Sequence, residues 1–378
     1  MNRIGRVVLI LCACFVSVAW GEQPTCSNDW TEFHRPNMQR WNPCEKVLNV
    51  HNAKSLGLKW SYATGNVVIS SPAVANGVVY VGSDDNNVYA LNASTGALQW
   101  SYTNGYIVPS SPAVANGAVY VGDDAEFYAL NASTGALLWT YFTGGGLSSP
   151  AVANGVVYVG SNSFSDVYAL NASTGALVWS YTTGNYVYTS PAVANGVVYV
   201  GSYNGNVYAL SASTGALLWS YATGSYVDSS PAVANGVVYI GSYNRNVYAL
   251  SASTGALLWS YAANDLINYS SPAVANGVVY VGSYNGNVYA LNASTGAMLW
   301  KHRTHAHVNS SPAVANGVVY VGSADDNVYA LNASTGALLW RYATGGSVFS
   351  SPTVANGVVY VGSLDGKVYA FGLKKGRE

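Results

Sequence analysis

A chain of 378 residues that is half hydrophobic, only 8% charged and of formal net charge -1 carries no electrostatic footprint for nucleic acid or for an anionic membrane surface. Its 40 glycines and 31 tyrosines, together with short valine runs, favour strands broken by tight turns over helices. An all-β chain is expected.

The N-terminus opens with Arg3 and Arg6, continues through 14 apolar residues from Val7 to Trp20, and ends in Ala19-Trp20-Gly21 before a polar segment. That pattern predicts a signal peptide over residues 1–21, and the apolar run is shorter than the roughly 17–25 residues that span a bilayer. The expected product is exported, to a periplasm, cell envelope or extracellular space, with no membrane span. After cleavage Cys26 and Cys44 are the two cysteines left, which predicts one disulfide in an extension over 22–55, ahead of the repeats.

From residue 56 to 373 the chain repeats itself. The phrase Ser-Pro-Ala-Val-Ala-Asn-Gly-Val-Val-Tyr-Val-Gly returns with prolines at Pro72, Pro112, Pro150, Pro191, Pro231, Pro272, Pro312 and Pro352, at spacings of 40, 38, 41, 40, 41, 40 and 40. Periods of this length mark propeller blades. In the fourth unit Ser190 to Ala194 reads as strand A, Asn195-Gly196 as a two-residue turn, and Val197 to Ser202 as strand B. Val207 to Leu210 follows as strand C and Ala216 to Thr223 as strand D. Asn-Gly suits a type I′ hairpin, which needs positive φ at both positions. Trp100, Trp139, Trp179, Trp219, Trp259, Trp300 and Trp340 each sit on a strand D, and Trp60 sits on a strand D with no A, B or C before it. The N-terminal strand is therefore expected to complete the C-terminal blade, closing a ring of eight four-stranded antiparallel blades as a monomer, with 374–378 as a tail.

The segment Tyr89 to Trp100 can be written Ala-x-Asn-x-x-Thr-Gly-x-x-x-Trp, and it occurs seven times in register, with Ser211 and Ser251 in place of Asn in two copies. It resembles the tryptophan-docking motif of the PQQ-like repeats in the quinoprotein alcohol dehydrogenase-like superfamily, with Asn in place of the usual Asp. The resemblance covers Leu56 to Leu373 and implies an eight-bladed propeller whose tryptophans wedge against neighbouring blades. It implies two functional classes. One is a PQQ-dependent dehydrogenase, with the quinone over the channel against a vicinal disulfide, a bound calcium ion and an Asp base. The other is a binding scaffold like the propeller lipoprotein of the outer-membrane β-barrel assembly machinery. No adjacent cysteine pair follows the signal, and the chain lacks long insertions, so the expectation is a non-catalytic module without cofactor; PQQ with calcium belongs only to the alternative.

Strand order puts the A–B and C–D turns on one face, called the bottom, and the B–C turns and D–A crossings on the other. Bottom turns keep one length in every copy, whereas all four length changes fall on top: at 123–126, 144–146, 161–166 and 264–266. Three residues before each proline stand Ile69, Pro109, Leu147, Tyr188, Asp228, Tyr269, Asn309 and Phe349, seven residue types in eight copies. Variable loops on a fixed scaffold are the expected seat of binding, here for a protein or peptide partner. Other chemistry is thin. His302, His305 and His307 lack an evident third partner for a metal, with packing on strand D as the alternative role for His302. Acidic turns such as Asp84-Asp85 and Asp325-Asp326 read as hairpin chemistry.

Overall fold

The computed structural model describes residues 26–35, 38–145, 148–267 and 269–374; the predicted signal segment and Leu147 lie outside them. Eight antiparallel sheets follow one another around an axis, each in the order A-B-C-D. In the fourth blade these strands are Ala192–Ala194, Val197–Gly201, Asn206–Ser211 and Leu217–Ala222. Strand A is shorter than the sequence suggests because the Ser-Pro step before it does not join the ladder; proline has no N–H to give. The Asn195-Gly196 turn has φ of 51° and 77°, the type I′ signature.

Closure is as expected. The strand Leu56–Ala63 pairs antiparallel with Lys367–Leu373, from Leu56 opposite Leu373 to Ala63 opposite Lys367, and so supplies strand D of the eighth blade. Around the inside, the second serine of each Ser-Pro step closes a circle. Its backbone N–H donates to the serine hydroxyl of the next blade, from Ser71 to Ser111 (2.9 Å) through to Ser351 back to Ser71 (2.9 Å).

At the outer edge, the tryptophan indoles do the equivalent. Trp100 donates Nε1–H to the Ala132 carbonyl (2.9 Å), and Tyr80 from the same blade donates its hydroxyl to that same oxygen (3.1 Å). The indole lies flat over the turn glycine: a Cβ on Gly135 would stand 2.7 Å from Trp100, and its φ of 73° already favours glycine. Each wedge buries 150–250 Å² or so, worth at most about 4–6 kcal/mol. Between blades seven and eight no C–D turn takes this place, because strands C and D of blade eight come from the separate segments Lys367–Leu373 and Leu56–Ala63. Trp340 instead donates to the Leu56 carbonyl (3.0 Å) and is only half-buried, and the buried Tyr320 hydroxyl has no partner.

The extension differs from the sequence expectation of a loop ahead of the propeller, for it enters the channel from the bottom. Asp29 accepts from the Asn76 N–H (3.2 Å), Glu45 from Gly357 (2.9 Å), and the Leu48 carbonyl from the Asn316 amide (3.0 Å), all at A–B turns. Between these anchors residues 30–35 and 38–42 make successive contacts round the axis. The inward-facing valine N–H of strand A is met by the Trp30 carbonyl in blade one (2.7 Å), Thr31 in blade two (2.7 Å) and a Glu32 carboxylate oxygen in blade three (3.0 Å). The carbonyls of Met38, Gln39 and Arg40 meet it in blades five, six and seven (2.8–3.0 Å). Trp41–Asn42 then adds a short parallel strand to blade seven. A disulfide joins Cys26 to Cys44 at a Cα separation of 5.6 Å, so the cross-link fastens the plug rather than a separate module.

Candidate functional site

With its bottom plugged, the channel is a cup open at the top. A cavity of about 370 Å³ remains there, its floor made by Phe33 of the plug and its wall by the serines of the hydrogen-bonded circle. The rim is formed by residues of the D–A crossings, three before each proline. Ile69, Pro109, Tyr188, Asp228, Tyr269, Asn309 and Phe349 all line this one cavity. Leu147 occupies the equivalent sequence position but lies outside the described residues.

The rim side chains differ in how firmly they are held. Asp228 is 5% exposed and accepts a hydrogen bond from the Tyr203 hydroxyl at 2.9 Å. Burial lifts its carboxyl from the ordinary 3.8 to about 7, against the opposing effect of that hydrogen bond. Tyr188 packs edge-on to Tyr203 with ring centroids 4.7 Å apart, and Tyr203 stacks on Tyr226 at 4.9 Å. Tyr269 is half-exposed and holds a left-handed φ of 50°, uncommon for a bulky side chain. The buried Oδ1 of Asn309 has no hydrogen-bond partner.

Beneath the floor Arg40 is fully buried, with Nε on the Pro312 carbonyl (2.9 Å), Nη2 on Pro352 (3.0 Å) and Nη1 on Phe33. Its guanidinium stands 4.5 Å from the Phe33 ring centroid. Burial pushes His34 down to about 3, assisted by Arg40, so this histidine is neutral at physiological pH. None of this was legible in the sequence, because the plug occurs once and has no period. Its concentration of Trp30, Phe33, His34, Arg35, Arg40 and Trp41 in a chain otherwise poor in charge was the available signal.

Among the described residues no three His, Cys, Asp or Glu side chains come together. His302 bonds the Gly336 carbonyl (3.0 Å), and His307 stacks on Tyr284 at 3.8 Å and bonds its carbonyl (2.9 Å). Asp85 and Asp325 each accept from a tyrosine hydroxyl at 2.6 Å and from turn N–H groups. PQQ carries three carboxylates, whereas the described residues lining the cavity present one carboxylate and neither Arg nor Lys. The lining does not fit that quinone.

Fold and cavity define an eight-bladed β-propeller with a plugged axial channel, open as a cup on one face. Residues 47–143, 108–184, 163–310 and 285–378 match the PQQ_2 family, described as outer membrane protein assembly factor BamB, and the chain belongs to that family. Lupanine 17-hydroxylase [cytochrome c] of a Pseudomonas species is 33% identical over 72 residues, 18% of this chain and only 10% of that protein's length. Among solved structures, a europium-containing methanol dehydrogenase superposes with a TM-score of 0.80 at 17% identity, covering 91% of this chain and 98% of its own. The quinohemoprotein alcohol dehydrogenase of Comamonas testosteroni gives 0.81 at 18%, over 93% and 81%. BamB from Moraxella catarrhalis gives 0.73 at 23%, over 84% and 99%. At these identities the likeness establishes a common propeller.

Proposed function

We propose that this chain is a non-catalytic binding scaffold of the cell envelope, whose top-face cup and rim receive a protein or peptide segment. The observation that carries this reading is the convergence of seven repeat positions of differing residue type on one cavity. Exposed aromatics extend the rim: Tyr186, Tyr226 and Tyr269 are each about half exposed, which gives a partner large contact area at small entropic cost. An extracytoplasmic setting is supported by the Cys26–Cys44 disulfide and by the family's description as an outer membrane protein assembly factor. No helix among the described residues is long and apolar enough to cross a membrane.

The shared fold with methanol and alcohol dehydrogenases favours a second reading, a quinone-dependent oxidoreductase. The mismatch between a tricarboxylate and the Asp228-bearing lining weighs against it. Purified protein mixed with PQQ and calcium is expected neither to hold quinone absorbance through desalting nor to reduce a dye with alcohols. Stoichiometric retention of PQQ would overturn the scaffold reading.

A further inference from the structure

We propose that the axial cup binds an organic ammonium group, with Asp228 as its counter-charge and the rings of Tyr188 and Tyr269 as its walls. The inference rests on the scaffold reading and gives that site a ligand class. Asp228 is the only charged side chain among the described residues lining the cavity, and no cationic side chain lies within salt-bridge distance of it. An ionised carboxylate buried without a counter-charge is costly, and a cation that enters the cup relieves that cost. The surrounding groups match. Tyr188 and Phe349 on the rim and Phe33 on the floor offer aromatic surface, whose faces attract cations, especially quaternary and alkyl ammonium groups that shed water readily. Tyr188 and Tyr203 both have their phenols pushed up by burial and by Asp228, so they stay neutral and present only a weak dipole. The other charge nearby, Arg40, lies under the Phe33 ring with all three guanidinium nitrogens on carbonyl oxygens, outside the lining. The cup is thus polarised for a positive guest at its wall.

Titration adds a signature. Of the groups around the cup, Tyr188 and Tyr203 are pushed up from the ordinary tyrosine value and His34 below the floor is neutral, so Asp228 is the lining carboxyl that changes charge near pH 7; Glu32 of the plug, outside the lining, is lifted to a similar value. Ammonium binding strengthens as pH rises through that value and weakens below it.

The test is calorimetric titration of the full exported protein with choline and with its uncharged carbon isostere, 3,3-dimethyl-1-butanol. Choline is expected to bind at least about tenfold more tightly than the isostere, and to lose at least about tenfold between pH 8 and pH 5.5. Asp228→Asn, which keeps an acceptor for Tyr203, is expected to abolish the preference; should that variant fold poorly, the pH profile of Glu32→Gln, which removes the other carboxyl lifted to about 7, decides. Equal binding of the two probes would overturn the ammonium assignment while leaving the cup as a binding site. Binding of neither probe at millimolar concentration would also overturn it, and PQQ retention is the separate result that removes the scaffold reading itself.

Discussion

The two faces of the ring are made from the same eight repeats, yet they use their side chains in opposite ways. On the bottom, the carbonyl of Ala132 accepts both Trp100 and Tyr80 of the blade before, and Asn131 Oδ1 caps the turn by accepting from the Ser133 and Thr134 N–H groups (3.0 Å each). One substitution there removes several bonds and loosens a joint that the whole ring needs. On the top, the described residues three before each proline line a cup outside the repeated Trp and Ser joints, and there the repeats diverge from Ile69 to Phe349. Uniform positions are those where the neighbouring blade is the ligand; varied positions are those for which we propose a ligand from outside the chain.

The contrast is broken most severely at the seam. Deleting residues 51–66 removes strand D of the eighth blade and bares Lys367–Leu373 as an edge, so the truncated chain is expected to oligomerise or aggregate in size-exclusion chromatography; an unchanged monomer with an unchanged Tm would refute the shared blade. Within the ring, Trp139→Ala is expected to cost about 3–5 kcal/mol in denaturant unfolding, and Trp340→Ala distinctly less because that indole is only half-buried. Similar losses at the two sites would contradict the account of the seam. Reducing Cys26–Cys44 is expected to lower global stability by about 3 kcal/mol, since the plug it closes touches strand A around the ring. A two-step melt with an unaltered main transition would show the plug to be dispensable.

A smaller effect follows from Glu32, whose carboxyl burial lifts from 4.5 to about 7. The unfolded chain ionises this group from about pH 4.5, while the folded chain holds the proton to about 7, so its contribution to stability falls as pH rises through that window. Glu32→Gln is therefore expected to gain on the wild type by on the order of 2 kcal/mol between pH 5 and pH 8. His34, lowered to about 3, acts in the opposite sense below pH 6.5 and is common to both proteins, so it drops out of the difference.

Much of the architecture was legible because each instruction is repeated. Asn-Gly fixes a hairpin by backbone sterics, the prolines count the blades, and the unpaired Trp60 strand announces that the ends meet. The rim could be read by comparing copies within the chain, which placed Tyr188 and Asp228 on one face before their shared cavity was seen. The plug could not. Trp30, Thr31, Met38, Gln39 and Arg40 bond through their backbone carbonyls to valines more than 40 residues away, and no side-chain pattern encodes such contacts. For the same reason Phe33, the floor of the cup, and Arg40, its buried support, escaped notice.

The division of labour between the faces is tested most directly by binding. With a partner captured from the source envelope, the affinities of Tyr188→Ala, Tyr269→Ala and the bottom-turn variant Thr214→Ala are compared by calorimetry, each first shown to be folded. The rim variants are expected to lose on the order of 2 kcal/mol each, with Thr214→Ala binding as the wild type does. Equal affinity across all three would contradict the assignment of function to the top face.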